Sequence, residues 1–187
     1  MSDDIIRNGV NLTEIEKLLE AIEENPELAN VVFKAKSEWI DGTQSDVSIS
    51  ELIAGGNNMA GPDRDFNLTV DEPAFLGGKD EHPNPVEYLA AALCGCLTAG
   101  ISTNAALFET ELEKIDVEVD VNFDVKGVLG LDEKSPNGAL SIDYKVKLKS
   151  SDKEAALKSK ETIDQKSPVK NTLELPLKIS TEIEFED

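Results

Sequence analysis

The sequence predicts an α+β protein, with antiparallel sheets wrapped about one long buried helix. Three observations lead there. Residues 88–108 carry no charge and follow a complete helix start. Ile115, Val117, Val119, Val121, Phe123 and Val125 alternate with Asp116, Glu118, Asp120, Asn122 and Asp124. That period is a half-buried strand with a solvated acidic face. Leu140, Ile142, Tyr144, Val146 and Leu148 repeat it with Lys145, Lys147 and Lys149 outside, so the two strands suit an antiparallel pair.

Taken in order, the elements begin with a helix. Asn11 and Thr13 are cap candidates, each followed three residues on by a glutamate, Glu14 or Glu16. Leu12, Ile15, Leu18, Leu19 and Ile22 line one face, and Asn25-Pro26 ends the helix. Residues 31–40 read as a strand, Asp41-Gly42 as a hairpin turn, and residues 45–52 as the returning strand. Phe33 and Trp39 share a strand face and are expected in the core. Residues 54–65, rich in Gly and Asn, read as a mobile loop, and Phe66, Leu68 and Val70 as a third strand. The long helix opens with Asn84 as cap, Pro85 at the first position and Glu87 at the third, able to reach back. It is apolar all round, so it must be covered on all sides. After a loop at residues 127–138, Asp152 caps a helix to about Gln165 and Pro168 starts a further turn. Residues 177–185 alternate as a last strand.

Composition narrows the function. The 187 residues suffice for one domain or two closely knit halves. Acidic residues outnumber basic ones 38 to 18, for a net charge of −20. Such a surface repels phosphate backbones and anionic headgroups, so neither nucleic acid nor membrane is expected as a partner. The acidic start lacks a basic segment followed by an apolar one, which points to the cytoplasm. The run 88–108 has membrane-spanning length, but Gly95, Thr98, Gly100, Ser102, Thr103 and Asn104 make it too polar for lipid.

Cys94 and Cys96, the only cysteines, lie two apart in this helix. At 3.6 residues per turn they point about 200° apart, so they cannot join in an unstrained disulfide or jointly grip a metal. With His82 the sole histidine, a zinc site lacks ligands, and neither metal nor cofactor is expected. A cysteine in an apolar helix is ordinarily a small core residue. Chemistry requires a thiolate with a cation nearby and some access, and nothing local supplies the cation. His82 reads as a loop residue, and Gly77-Gly78 as a turn. Asp71 and Glu72 point to opposite faces of an extended segment, so they form no acid/base pair. Their expected task is to fix the Pro73 turn.

Asp71-Glu72-Pro73, Leu76-Gly77-Gly78, and the run from Pro83-Asn84-Pro85-Val86-Glu87-Tyr88 to Cys96 resemble the OsmC-like family. Ser167-Pro168-Val169 is similar to that family's Cys-Pro-Val segment. The resemblance implies an OsmC-like domain over residues 31–187, with 1–30 as an N-terminal helical extension. It implies an intertwined homodimer with the long helix at its centre. It also implies a site where one cysteine attacks an organic hydroperoxide and a second resolves the sulfenic acid. An arginine steadies the thiolate there, and a glutamate after the helix-opening proline holds the arginine. Cys96 falls on the attacking cysteine. Ser167 stands at the resolving position and Val86 at the glutamate, while Glu87 has the capping task. Arg64 is the candidate arginine. Two expectations follow: a one-cysteine peroxidase working with an external thiol, or a small-molecule-binding protein whose redox site has been lost.

Overall fold

A computed structural model describes residues 4–186. The chain forms two compact units, Met1–Ala91 and Ala92–Asp187.

In the first unit, β1 (Ile6–Arg7) and β2 (Val10–Asn11) pair through a tight turn. They lead into α1 (Leu12–Glu24). Of the two cap candidates Asn11 caps the helix, its side chain accepting from the Glu14 amide at 3.2 Å. Thr13 instead accepts from the Ile5 amide. Only Leu12 of the apolar stripe is buried, and Leu18 and Leu19 are exposed. A 3₁₀ turn at Pro26–Ala29 follows.

The strand expected over residues 31–40 is broken at Lys34-Ala35 into β3 (Val31–Phe33) and β4 (Lys36–Asp41). Its partner breaks at Ser50-Glu51 into β5 (Gln44–Ile49) and β6 (Leu52–Ala54). Both breaks fall at the same level, where the register slips by one residue and Lys34 Nζ meets Glu51 at 2.7 Å. Each half therefore enters its own three-stranded sheet. The loop expected over 54–65 is partly ordered, because Gly55 and Gly56, both at positive φ, turn the chain into β7 (Asn57–Asn58). The sheets run β3-β6-β7 and β4-β5-β8, with β8 at Phe66–Val70. The core role expected of Phe33 and Trp39 is not met: they are 79% and 74% exposed. Trp39 Nε1 donates to the Gly42 carbonyl, so its ring lies by the hairpin turn.

α2 (Pro85–Leu107) is the expected long helix, and among the described residues it alone is long and apolar enough to cross a membrane. Its coverage is less than expected. Leu93, Leu97 and Ile101, four apart, form a buried stripe, whereas Ala91, Ala92, Gly95 and Ala99 are exposed.

In the second unit the stripe meets β9 (Lys114–Asn122) and β10 (Ser141–Lys149), which pair antiparallel along their full length. Lys145 stands opposite Glu118 and Lys147 opposite Asp116, as the alternating charges require. Ile115, Val117, Val119, Ile142, Tyr144, Val146 and Leu148 pack on Leu93, Leu97, Ile101 and Ile163. The first of these strands ends at Asn122, short of Val125. There the side chain of Asp124 accepts from Lys126 N and caps a short helix, α3 (Val125–Val128).

α4 (Lys153–Lys166) starts on the Asp152 cap and supplies Ile163 to the core. α5 (Pro168–Glu174) follows at once. Gly100 is the near point of α2 to α4: a Cβ there would lie 2.1 Å from Ile163 Cδ1. Residues 177–185 do not form the expected strand. They find no ladder partner, and Ile179 and Phe185 stand 88% and 87% exposed.

Candidate functional site

The candidate site grows from the start of α2. Asn84 N donates to Glu87 Oε2 and Glu87 N donates to Asn84 Oδ1, both at 2.8 Å, which is a reciprocal capping box. Glu87 is therefore committed to the helix end. Val86 beside it is half-buried and offers no charge. Tyr88 Oη ties the same turn to β8 through the Thr69 carbonyl at 2.8 Å.

Two turns on, helical geometry separates the cysteines as expected, and both are free thiols. Cys94 Sγ faces the Val117 carbonyl at 3.7 Å, a contact that fixes it as a packing residue against β9. Cys96 Sγ lies 3.2 Å from Ser167 Oγ. Cys96 is half-buried and Ser167 fully buried. Ser167 ends α4 by donating its amide to the Ile163 carbonyl at 2.7 Å, and caps α5 by accepting from Lys170 N at 3.2 Å. The sequence separates Cys96 from Ser167 by 71 positions, and the α2–α4 packing brings them together.

A hollow of about 240 Å³ is lined by Leu93, Ile142, Tyr144, Lys170, Leu173 and Glu174. Leu93 precedes Cys96 by one helical turn, and Lys170 is the residue whose amide binds Ser167. The walls are mostly apolar, with the Lys170–Glu174 ion pair at 2.7 Å on one side. Behind Tyr144, its hydroxyl donates to Asp164 at 2.8 Å, and Lys160 pairs with the same carboxylate. Burial first, and then Asp164, push the Tyr144 phenol up to about 12.

Arg64 belongs to the first unit. Its guanidinium sits over the Phe66 ring at 5.0 Å, and its Nε is buried without a hydrogen-bond partner. A buried guanidinium donor left without a partner is costly. His82 is exposed in the bend before α2. Among the described residues no group of three or more His, Cys, Asp and Glu side chains could hold a metal.

Asp71 carries more than its sequence context suggests. It is fully buried and accepts from Thr43 Oγ1 at 2.6 Å and from Gln44 Nε2 at 3.3 Å. It also accepts from the amides of Glu72, Lys79 and Glu81. The Thr43 hydroxyl above all, then the Glu72 and Glu81 amides and Gln44, hold its carboxyl well below the usual carboxylate range. The whole 71–81 loop is thus wound around one carboxylate. Gly78 is needed for that winding, because a Cβ there would lie 1.8 Å from the Glu72 carbonyl oxygen. The sequence signal for this hub was the Asp-Glu-Pro and Gly-Gly strings, read only as turn makers.

The family model for OsmC-like protein matches residues 78–182. No curated protein matches the chain by sequence. Solved structures of the same fold include an organic hydroperoxide resistance protein OsmC of Legionella pneumophila. It is 17% identical, with a TM-score of 0.52, over 76% of this chain and 88% of that one. An OsmC-like protein of Mycoplasma pneumoniae is 16% identical with a TM-score of 0.53, over 76% of this chain and 87% of that one.

Proposed function

Because the chain belongs to the OsmC-like family, we propose that it is a one-cysteine thiol peroxidase for organic hydroperoxides. The observation that carries this reading is Cys96 Sγ at 3.2 Å from a buried serine at the resolving position. The Cys96 thiolate attacks one peroxide oxygen, the O–O bond breaks, and the leaving alkoxide takes up a proton to become an alcohol. Sulfur is oxidised by two electrons to a sulfenic acid and the peroxide is reduced by two. Ser167 has no sulfur, so resolution falls to an external thiol. That thiol displaces water to form a mixed disulfide, and a second thiol releases Cys96 and leaves as a disulfide. The apolar hollow beside Leu93 suits the alkyl part of such a substrate.

Arg64 is the arginine we propose for the thiolate-steadying role that the family resemblance implies. We further propose a cytoplasmic homodimer. The uncovered small-residue side of α2 and the exposed alternation of Leu177, Ile179, Ile183 and Phe185 support it. Sedimentation at twice the chain mass is the expected result.

Purified protein treated with cumene hydroperoxide should carry a sulfenic adduct on Cys96 by mass spectrometry, and Cys96→Ala should abolish it. Absence of adduct at millimolar peroxide would remove the peroxidase reading. Val86 favours a second one, a protein that binds apolar small molecules without redox chemistry. In that case fatty acids would raise the melting temperature and Cys96→Ser would leave the shift intact.

A further inference from the structure

We propose that Ser167 is a positioning residue that donates its hydroxyl hydrogen to the Cys96 thiolate. The inference rests on Cys96 being the reactive thiol. A serine hydroxyl has one hydrogen to give and two lone pairs to receive with. The Lys170 amide can only donate, and at 3.2 Å it occupies an acceptor position on Oγ. The other polar atom against Oγ is Cys96 Sγ, also at 3.2 Å. A thiolate has no hydrogen, so in the reactive form the hydrogen between these atoms belongs to Ser167.

The serine has little freedom to turn away. Its amide is bound to the Ile163 carbonyl at 2.7 Å and its carbonyl accepts from Asn171 N at 2.9 Å. The side chain is fully buried, so water does not compete for the hydroxyl. A hydrogen bond to a charged acceptor in such a place is stronger than a neutral one. The position at which a thiol would resolve the sulfenic acid thus carries a group that holds the thiolate and cannot be oxidised by it.

The test is the rate at which iodoacetamide alkylates Cys96 in a Cys94→Ala background, followed by mass spectrometry across pH. It needs no peroxide, so it reads Ser167 whether or not the protein turns a peroxide over. Ser167→Gly is the informative variant, because glycine is nearly as good a helix cap as serine and lacks the hydroxyl. At neutral pH it should alkylate roughly tenfold more slowly, as loss of one hydrogen bond to a charged group requires. The difference should close at about pH 10, where thiols ionise without help. Ser167→Thr, which keeps the hydroxyl, should restore the wild-type rate. An unchanged rate at neutral pH, or a slowing equal at every pH, would overturn the proposal. Retained melting temperatures in the Gly and Thr variants exclude loss of fold as the cause. If Ser167→Gly does not fold, Ser167→Ala compared with Ser167→Thr separates the same two outcomes.

Discussion

The two units of this chain are built on different physics. Residues 92–187 have a core: Leu93, Leu97, Ile101 and Ile163 are buried beneath one face of a two-stranded sheet. Fully burying such side chains is worth about 1.5–3 kcal/mol each. In residues 4–91 the buried residues are Leu12, Gln44 and Asp71, of which one is apolar. That unit is organised by strand ladders and a buried carboxylate, while Phe33, Trp39 and Phe66 face outward. One unit buries an apolar stripe beneath its sheet and the other does not, while both display large apolar side chains, Phe33 and Trp39 in the first and Ile179 and Phe185 in the second. Displayed apolar groups of this kind, in both units, support the proposed homodimer.

Substitutions can break this contrast. Leu97→Ala, at a position with no exposure, should cost about 2–5 kcal/mol in denaturant unfolding. Gly100→Ala drives a methyl into Ile163 and should cost about 1–3 kcal/mol. Phe33→Ala should cost under about 0.5 kcal/mol in dilute protein, as an exposed site does. Its deficit should grow at concentrations where the dimer forms. A deficit independent of concentration would count against a second copy covering that face.

Extremes of pH should separate the units with the smallest perturbation. Asp71 is held below its ordinary range when folded, so its contribution is present above about pH 4 and is lost as acid protonates it. Trp39, the only tryptophan, reports that loss by fluorescence from the first unit. Tyr144 is raised, so its contribution is present below about pH 10 and is lost as pH climbs toward about 12. Its phenolate absorbance, read in a Tyr88→Phe background because Tyr88 lies in the first unit, reports from the second unit. Acid should therefore loosen residues 4–91 first, and alkali residues 92–186.

What the sequence revealed follows the same division. The Asn84–Glu87 box, the pairing of an acidic-faced strand with a lysine-faced one, the Asp152 cap and the turn begun by Pro168 were legible because each depends on near neighbours or on a full alternating period. The split of the hairpin at Lys34-Ala35 was not, since propensity continues through it and only the sheet assignment of each half decides it. The strand over 177–185 was legible as a pattern and is missing as a structure, because a pattern supplies no partner. Cys96 and Ser167 were each nameable through the family resemblance. Their 3.2 Å meeting and the five donors on Asp71 depend on long-range packing that no local signal carries.

Gly100 has a bearing on the thiol that its distance from the sulfur conceals. It lies one turn beyond Cys96 on α2, and Ile163 lies one turn before Ser167 on α4. The Gly100–Ile163 contact and the Cys96–Ser167 contact are therefore successive rungs between the same two rods. The missing methyl works as a shim of zero thickness. Inserting one would spread the rods and lengthen the sulfur–oxygen gap without touching either atom. On the role proposed for Ser167, the reactivity of Cys96 would depend on this clearance, and a single carbon placed one helical turn away would retune it.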